Sequence, residues 1–155
     1  MKTVVIAGGC GFIGHKIANL FINNDFMVII IDNYFERVLD KRTQKKYLSR
    51  MDFLVGAKIV NCNICNRAKV SNLFERYKPE LVVHLANCPN AKAVNANPAN
   101  YTDEMIGGTM NLLEAARLKG VERFVYVSSS MVYGDFLATT IAEDHPVNPV
   151  EFYGT

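Results

Sequence analysis

Gly8-Gly9-Cys10-Gly11-Phe12-Ile13-Gly14 follows directly on the apolar, β-branched run Thr3-Val4-Val5-Ile6-Ala7. No other feature of the chain restricts its fold as much. Glycines at 8, 11 and 14 stand between a strand and the helical spacing Phe12, Ile13, Ile17, Leu20, Phe21. A chain that turns sharply from strand to helix needs a residue without Cβ at the turn. A helix whose first N–H groups open onto such a loop presents free donors and a positive dipole end to an anion. Gly14 lets the helix pack against the strand.

The rest of the chain repeats the alternation. Asn23-Asn24 closes the first helix, and Met27 to Ile31 reads as a second buried strand. Further strands are predicted over Ala57 to Val60, Leu81 to Leu85 and Arg123 to Val127. Val70, Leu73, Phe74 and Tyr77 mark a second helix, stopped before Pro79. Met105, Leu112, Leu113 and Ala116 mark a third, ended by Gly120 as a left-handed residue. The polar stretch from Asp32 to Phe53 yields no assignment. Strands of about five residues alternating with helices predict an α/β, Rossmann-type doubly wound parallel sheet, incomplete at its carboxyl-terminal side. Such sheets bind ligands beyond the carboxyl ends of their strands, where strand order reverses.

With 155 residues, half of them apolar, the chain makes one domain, residues 1–155. A formal charge of +2 is too small to suggest nucleic acid. The basic run from Lys41 to Arg50 reads as a solvated face, with a contact to a cofactor phosphate as the alternative. No signal peptide is visible, and no apolar stretch approaches the roughly 18 residues of a membrane span. The expected compartment is the cytoplasm, with the four cysteines reduced. Cys62-Asn63-Ile64-Cys65 has the C-x-x-C spacing, but no second pair and no nearby His completes a ligand set, so the cysteines read as packing and no metal is expected.

After the second strand comes an acid, Asp32, 18 residues beyond Gly14. A carboxylate there accepts hydrogen bonds from adenosine ribose hydroxyls and repels a 2′-phosphate, favouring NAD over NADP.

With the motifs Ile31-Asp32-Asn33, Val83-His84-Leu85-Ala86, Gly108-Thr109-Met110-Asn111-Leu112-Leu113-Glu114-Ala115-Ala116 and Ser128-Ser129-Ser130-Met131-Val132-Tyr133-Gly134 beside the glycine loop, the chain resembles the NAD-dependent epimerase/dehydratase family, the extended short-chain dehydrogenases. The resemblance implies NAD as cofactor. It implies that Gly8, Gly11 and Gly14 shape the phosphate loop and that Phe12 and Ile13 offer backbone N–H groups to the pyrophosphate. Asp32 and Asn33 would hold the ribose, Asn63 and Ile64 would face the adenine, and Leu85, Ala86 and Asn87 would line the cofactor. Ser129, four residues before Tyr133, would hydrogen-bond the reacting sugar oxygen, with Ser128 and Ser130 one step either side. Tyr153, in Pro149-Val150-Glu151-Phe152-Tyr153-Gly154-Thr155, would be the general acid/base.

The implied function is the NAD-binding portion of a nucleotide-sugar epimerase or dehydratase, which oxidises a sugar hydroxyl by hydride transfer and re-reduces it. The implied partner is a nucleotide sugar, and family dimers pair through two helices of this part of the fold. Alternatives are a catalytically inactive NAD-binding or sensing module, or another extended short-chain reductase or decarboxylase. The chain departs from the family pattern in three places. The lysine expected four residues after Tyr153 falls past Thr155. Met105 stands where the family has Asn, and Asn63 where it has Asp. Dehydratases carry Asp-Glu where this chain has Ser130-Met131, which favours an epimerase. A chain ending at Thr155, with Tyr153 close to a frayed terminus, is expected to bind NAD without turnover.

Overall fold

The computed structural model describes residues 1–34, 41–88, 90–137 and 139–155. Five strands, β1 (Thr3–Ala7), β2 (Met27–Asp32), β3 (Lys58–Asn61), β4 (Leu81–His84) and β5 (Arg123–Tyr126), form one sheet in the order β3-β2-β1-β4-β5. Every pairing is parallel, with Ile6 facing Ile30 on one side and Val83 on the other. Helices α1 (Gly14–Ile22), α2 (Lys41–Met51), α3 (Arg67–Tyr77), α4 (Ala91–Ala96) and α5 (Gly108–Lys119) connect the strands. Order reverses at β1, whose right and left neighbours are β4 and β2, so the crevice for a ligand opens above its carboxyl end.

Side chains on a strand alternate between faces, and both faces here are covered. Val5, Ala7, Ile29 and Ile31 point into a core with Val70 and Phe74 of α3 and Leu112 and Ala116 of α5. Val4, Ile6, Val28 and Ile30 point the other way, against Ala18 of α1 and Tyr47 of α2. This is why β1 is buried at every residue and reads as a continuous apolar run.

The structure corrects several sequence readings. Residues 41–51, within the stretch that yields no assignment, form α2. Its sequence is polar almost throughout because Tyr47 and the partly buried Met51 carry its docking. The remainder of that stretch, 35–40, lies outside the described residues. Helix α4 was not expected; it is only six residues long and is opened by Asn90, whose side chain accepts the Ala93 N–H at 3.1 Å. The helix predicted through Met105 is interrupted. Asp103–Gly107 form a π-helical turn, and α5 begins only at Gly108. A π turn adds a residue to the ladder and rotates what precedes it. Met105 and Leu112 therefore do not share one regular stripe, and Leu113 is exposed. Phe12 and Ile13 are exposed as well, because α1 starts at Gly14 and they belong to the loop before it. Leu20 is on the solvent side of α1. Gly120 does end α5 in the left-handed region, with φ of 66°.

Asn66 caps α3, its side-chain oxygen accepting the Lys69 N–H at 2.9 Å. Asn66→Ala should lower stability by about 1 kcal/mol in chemical denaturation, the usual cost of an orphaned first-turn donor. An unchanged midpoint would mean that water replaces the cap fully. Among the described residues no helix is long and apolar enough to cross a membrane.

Candidate functional site

The turn from β1 into α1 is pressed against the exit of β4. A Cβ on Gly8, which has φ of +80°, would lie 2.7 Å from the Ala86 backbone nitrogen. A Cβ on Gly14 would lie 2.2 Å from the Gly8 carbonyl oxygen. Those two glycines are demanded by the protein's own packing. Gly11 is different: a Cβ there would meet only the Gly8 oxygen, at 3.2 Å. Its open side is the cleft, where backbone can approach a bound group closely.

That cleft holds about 650 Å³. Gly8, Gly11, Phe12, Ile13 and Gly14 border it on the glycine loop, Asp32 and Asn33 at the end of β2, Asn63 and Ile64 after β3, and Leu85, Ala86 and Asn87 after β4. Ser129 and Tyr153 border the same cleft. Every residue singled out from the sequence is thus brought to one place, although they come from segments up to 145 positions apart, Gly8 to Tyr153. Ser128 also faces it, whereas Ser130 opens the 3-10 turn Ser130–Tyr133. Met105 reaches the cleft from the π turn, as do Glu104 and Ile106.

The Asp32 carboxylate is anchored from two sides. One oxygen accepts the Cys10 N–H at 3.0 Å and the other the Tyr34 N–H at 2.8 Å. The acid after β2 and the glycine loop are therefore one hydrogen-bonded unit. Asn63 spends part of its amide locally, its Oδ1 accepting the Cys65 N–H at 2.8 Å. One oxygen lone pair and the NH₂ group remain for other partners. Asn87 does the same with the Cys88 N–H, at 2.8 Å.

Ser129 caps the turn that follows it, its Oγ accepting the Met131 N–H at 3.2 Å. Its own hydroxyl hydrogen stays available to donate. Tyr153 lies in the 3-10 turn Phe152–Gly154. Contrary to the expectation of a frayed end, this turn is packed. Gly154 is buried, and a Cβ on it would come within 2.3 Å of the Met131 oxygen. The Ser129 and Tyr153 turns therefore touch through backbone. Burial first, then the neighbouring Cys88 and Tyr126, push the Tyr153 phenol above its ordinary pKa.

Sequence reasoning gave no role to Tyr47 or to His84, although His84 stands in one of the motifs that carry the resemblance. Tyr47 is buried against the glycine loop and borders the cleft beside Asp32. In the basic run it stands next to Leu48, which is half exposed, and nothing in the pattern says which of the two faces inward. His84 lies beneath the site on β4. Its Nε2 is 2.9 Å from Thr109 Oγ1, and that hydroxyl gives its hydrogen to the Met105 carbonyl at 2.6 Å. The π turn that brings Met105 to the cleft is held from below by this chain of hydrogen bonds.

Cys10, Cys62 and Cys88 are buried and Cys65 is half-buried. Burial raises the pKa of Cys62 and Cys65, and the Cys65 thiol donates to the Asp103 carbonyl at 3.1 Å. Among the described residues no group of three or more His, Cys, Asp or Glu side chains could hold a metal ion.

A family model described as "NAD dependent epimerase/dehydratase family" matches residues 4–155. The chain belongs to the NAD dependent epimerase/dehydratase family. Among curated relatives, a UDP-glucose 4-epimerase of Drosophila melanogaster is 32% identical over 93% of this chain and 42% of its own length. A putative UDP-glucose 4-epimerase of Methanocaldococcus jannaschii is 30% identical, over 97% and 46%. The chain spans less than half the length of either. Among solved structures, the UDP-glucose 4-epimerase of Brucella ovis in complex with NAD superimposes with a TM-score of 0.83 at 27% identity, over 99% of this chain and 44% of that one. The UDP-Glc/GlcNAc 4-epimerase of Campylobacter jejuni gives 0.83 at 25% identity, over 99% and 45%. The doubly wound fold of this epimerase/dehydratase family member and its likeness to the amino-terminal part of such enzymes agree with the strand order above.

Proposed function

We propose that this chain is the NAD-binding part of a nucleotide-sugar epimerase, with Ser129 and Tyr153 as the groups that meet the sugar. The observation that carries the reading is that one cleft collects the glycine loop, the anchored Asp32 carboxylate and the Ser129–Tyr153 pair. The residues fit a dinucleotide. A Cβ on Gly8 or Gly14 would collide with backbone, and the open face of Gly11 leaves room for a pyrophosphate beside the first turn of α1. Asp32, held by two N–H groups, borders the cleft where the diol of a ribose would meet its carboxylate. Asn33 lies beside it, and Asn63 with Ile64 closes the adenine side.

Bound NAD would supply a reversible hydride acceptor. The chain's own residues supply position and proton handling. Ser129, with its oxygen capped by Met131, directs its hydroxyl hydrogen to the sugar oxygen. Tyr153 would take the proton of the sugar hydroxyl and later return it. Its surroundings raise its pKa, so forming the phenolate that accepts a proton needs nearby positive charge to offset burial. Re-reduction on the opposite face of the sugar inverts the carbon. Serine and methionine after Ser129, in place of two acids, support epimerisation over dehydration. Exposed Met110, Leu113 and Leu118 on α5 support pairing of two copies through α3 and α5.

NAD(H) should bind at least about tenfold more tightly than NADP(H). Tenfold needs roughly 1.4 kcal/mol. A carboxylate and a phosphate about 4 Å apart near a protein surface repel by about 4 kcal/mol per unit charge. Calorimetric titration with both nucleotides measures the ratio, and equal affinities would defeat the assignment of Asp32. For the reaction, a panel of UDP-, GDP- and dTDP-sugars is incubated with NAD and the protein that contains this chain. NMR should then show an epimer with the wild type and none with Tyr153→Phe.

A further inference from the structure

Two elements far apart in sequence meet at the Tyr153 turn. Helix α4 presents Asn95, whose Oδ1 accepts the Tyr153 backbone N–H at 2.8 Å. The same amide donates through Nδ2 to a Glu151 carboxylate oxygen. One side chain thereby grips the turn at both ends, Tyr153 by its donor and Glu151 by its acceptor. On the opposite side Gly154 is wedged against the Met131 carbonyl, and Met131 belongs to the turn that Ser129 caps. Glu151 is tied in turn by Thr155, whose hydroxyl donates to its backbone carbonyl at 3.2 Å.

We propose that Asn95 is a positioning residue for Tyr153, its amide bridging Tyr153 and Glu151 so that the phenol is held over the cleft. An amide suits this task because it accepts and donates in a single plane without carrying charge. Helix α4 follows the β4 loop that carries Leu85, Ala86 and Asn87. The grip therefore couples the placement of Tyr153 to the wall of the cofactor cleft. The proposal rests on Tyr153 being the acid/base group, but the grip itself is testable without turnover.

The test uses amide hydrogen exchange and 13Cζ-tyrosine NMR on the full chain, with Tyr153→Phe identifying the signal. In Asn95→Ala, exchange at the Tyr153 amide should accelerate about fivefold or more, the cost of one lost hydrogen bond. The ring signal should shift or broaden, while the Kd for NADH stays within about twofold because the adenosine end is untouched. Asn95→Asp alone sets two carboxylates together and should behave like Asn95→Ala. Combining it with Glu151→Gln reverses the polarity of the bridge and should restore both the exchange rate and the ring signal. Unchanged exchange and ring signal in Asn95→Ala would overturn the proposal. So would a double variant that melts like wild type yet restores neither readout, and this arm decides alone if Asn95→Ala unfolds. Wild-type protein that keeps the grip but binds no NADH would instead sink the proposed function.

Discussion

Gly11→Val yields a chain that folds and no longer binds NAD(H), with affinity lowered by at least about a hundredfold. The space a side chain would take at Gly11 is the open face of the loop; inside the protein its Cβ would meet one atom, at 3.2 Å. A shift of a few tenths of an ångström in the loop accommodates that, at a cost on the order of 1 kcal/mol. Two methyl groups projecting into the cleft, however, fill the approach of a pyrophosphate to the first turn of α1. Each charge-assisted hydrogen bond they break is worth roughly 1.5 to 3 kcal/mol. A hundredfold loss corresponds to about 2.7 kcal/mol, so a single such bond nearly suffices. Gly14→Ala is the contrasting control. Its Cβ would sit 2.2 Å from the Gly8 oxygen and 2.7 Å from the Gly9 Cα, both backbone atoms that cannot yield cheaply. That variant should lose its cooperative melting transition before binding can be asked of it. NADH fluorescence titration with thermal melts separates the two. A Gly11→Val chain that melts normally and binds NADH with wild-type affinity would show that the cofactor lies elsewhere.

The second large effect is an acid-labile fold with one dominant histidine. Thr109 gives its only hydroxyl hydrogen to the Met105 carbonyl, so its oxygen can only accept from His84. His84 Nε2 therefore carries the hydrogen, and Nδ1 is left bare and buried with no partner among the described residues. Protonation would add a charged donor facing nothing. Burial accordingly pushes the imidazole from 6.5 down to about 4. The folded-state pKa is lower than the unfolded one, so between these values the unfolded chain binds more protons. Stability is then fully present above about pH 6.5 and falls as pH drops toward 4. The loss is about 3 kcal/mol at the lower end. Urea unfolding of wild type and His84→Gln at pH 7 and pH 4.5 checks this. Glutamine keeps a donor for Thr109 and does not titrate, so its midpoint should be lower at pH 7 but change less on acidification. Equal acid losses in the two proteins would assign the effect to carboxylates instead. The same chain of bonds supports the π turn, so acid should also weaken NADH binding in wild type before global unfolding.

What the sequence by itself determined is whatever depends on local sterics or on period. The glycine loop was legible because a strand-to-helix turn with close backbone contact admits no Cβ, and Gly8 and Gly14 meet backbone on that account. Strands β1, β2 and β4 were legible because both their faces are buried, which writes an unbroken apolar run. Asp32 was legible because it ends β2 at a set distance from the loop to which it hydrogen-bonds. Tertiary structure alone decided the rest. Among the described residues helix α2 docks through so few inward side chains that its period is drowned by its charge. The π turn before α5 has no local sequence signature. It follows from Gly108 packing against Ile64, where a Cβ would come within 2.5 Å, and from the hydrogen-bond chain running up from His84. The order of the Tyr153 turn depends on Asn95, 58 positions earlier, and on the Met131 carbonyl, neither of which any local pattern connects to it. Contacts of that kind are made only when distant segments are brought together, because neither partner alone has a reason to adopt its conformation.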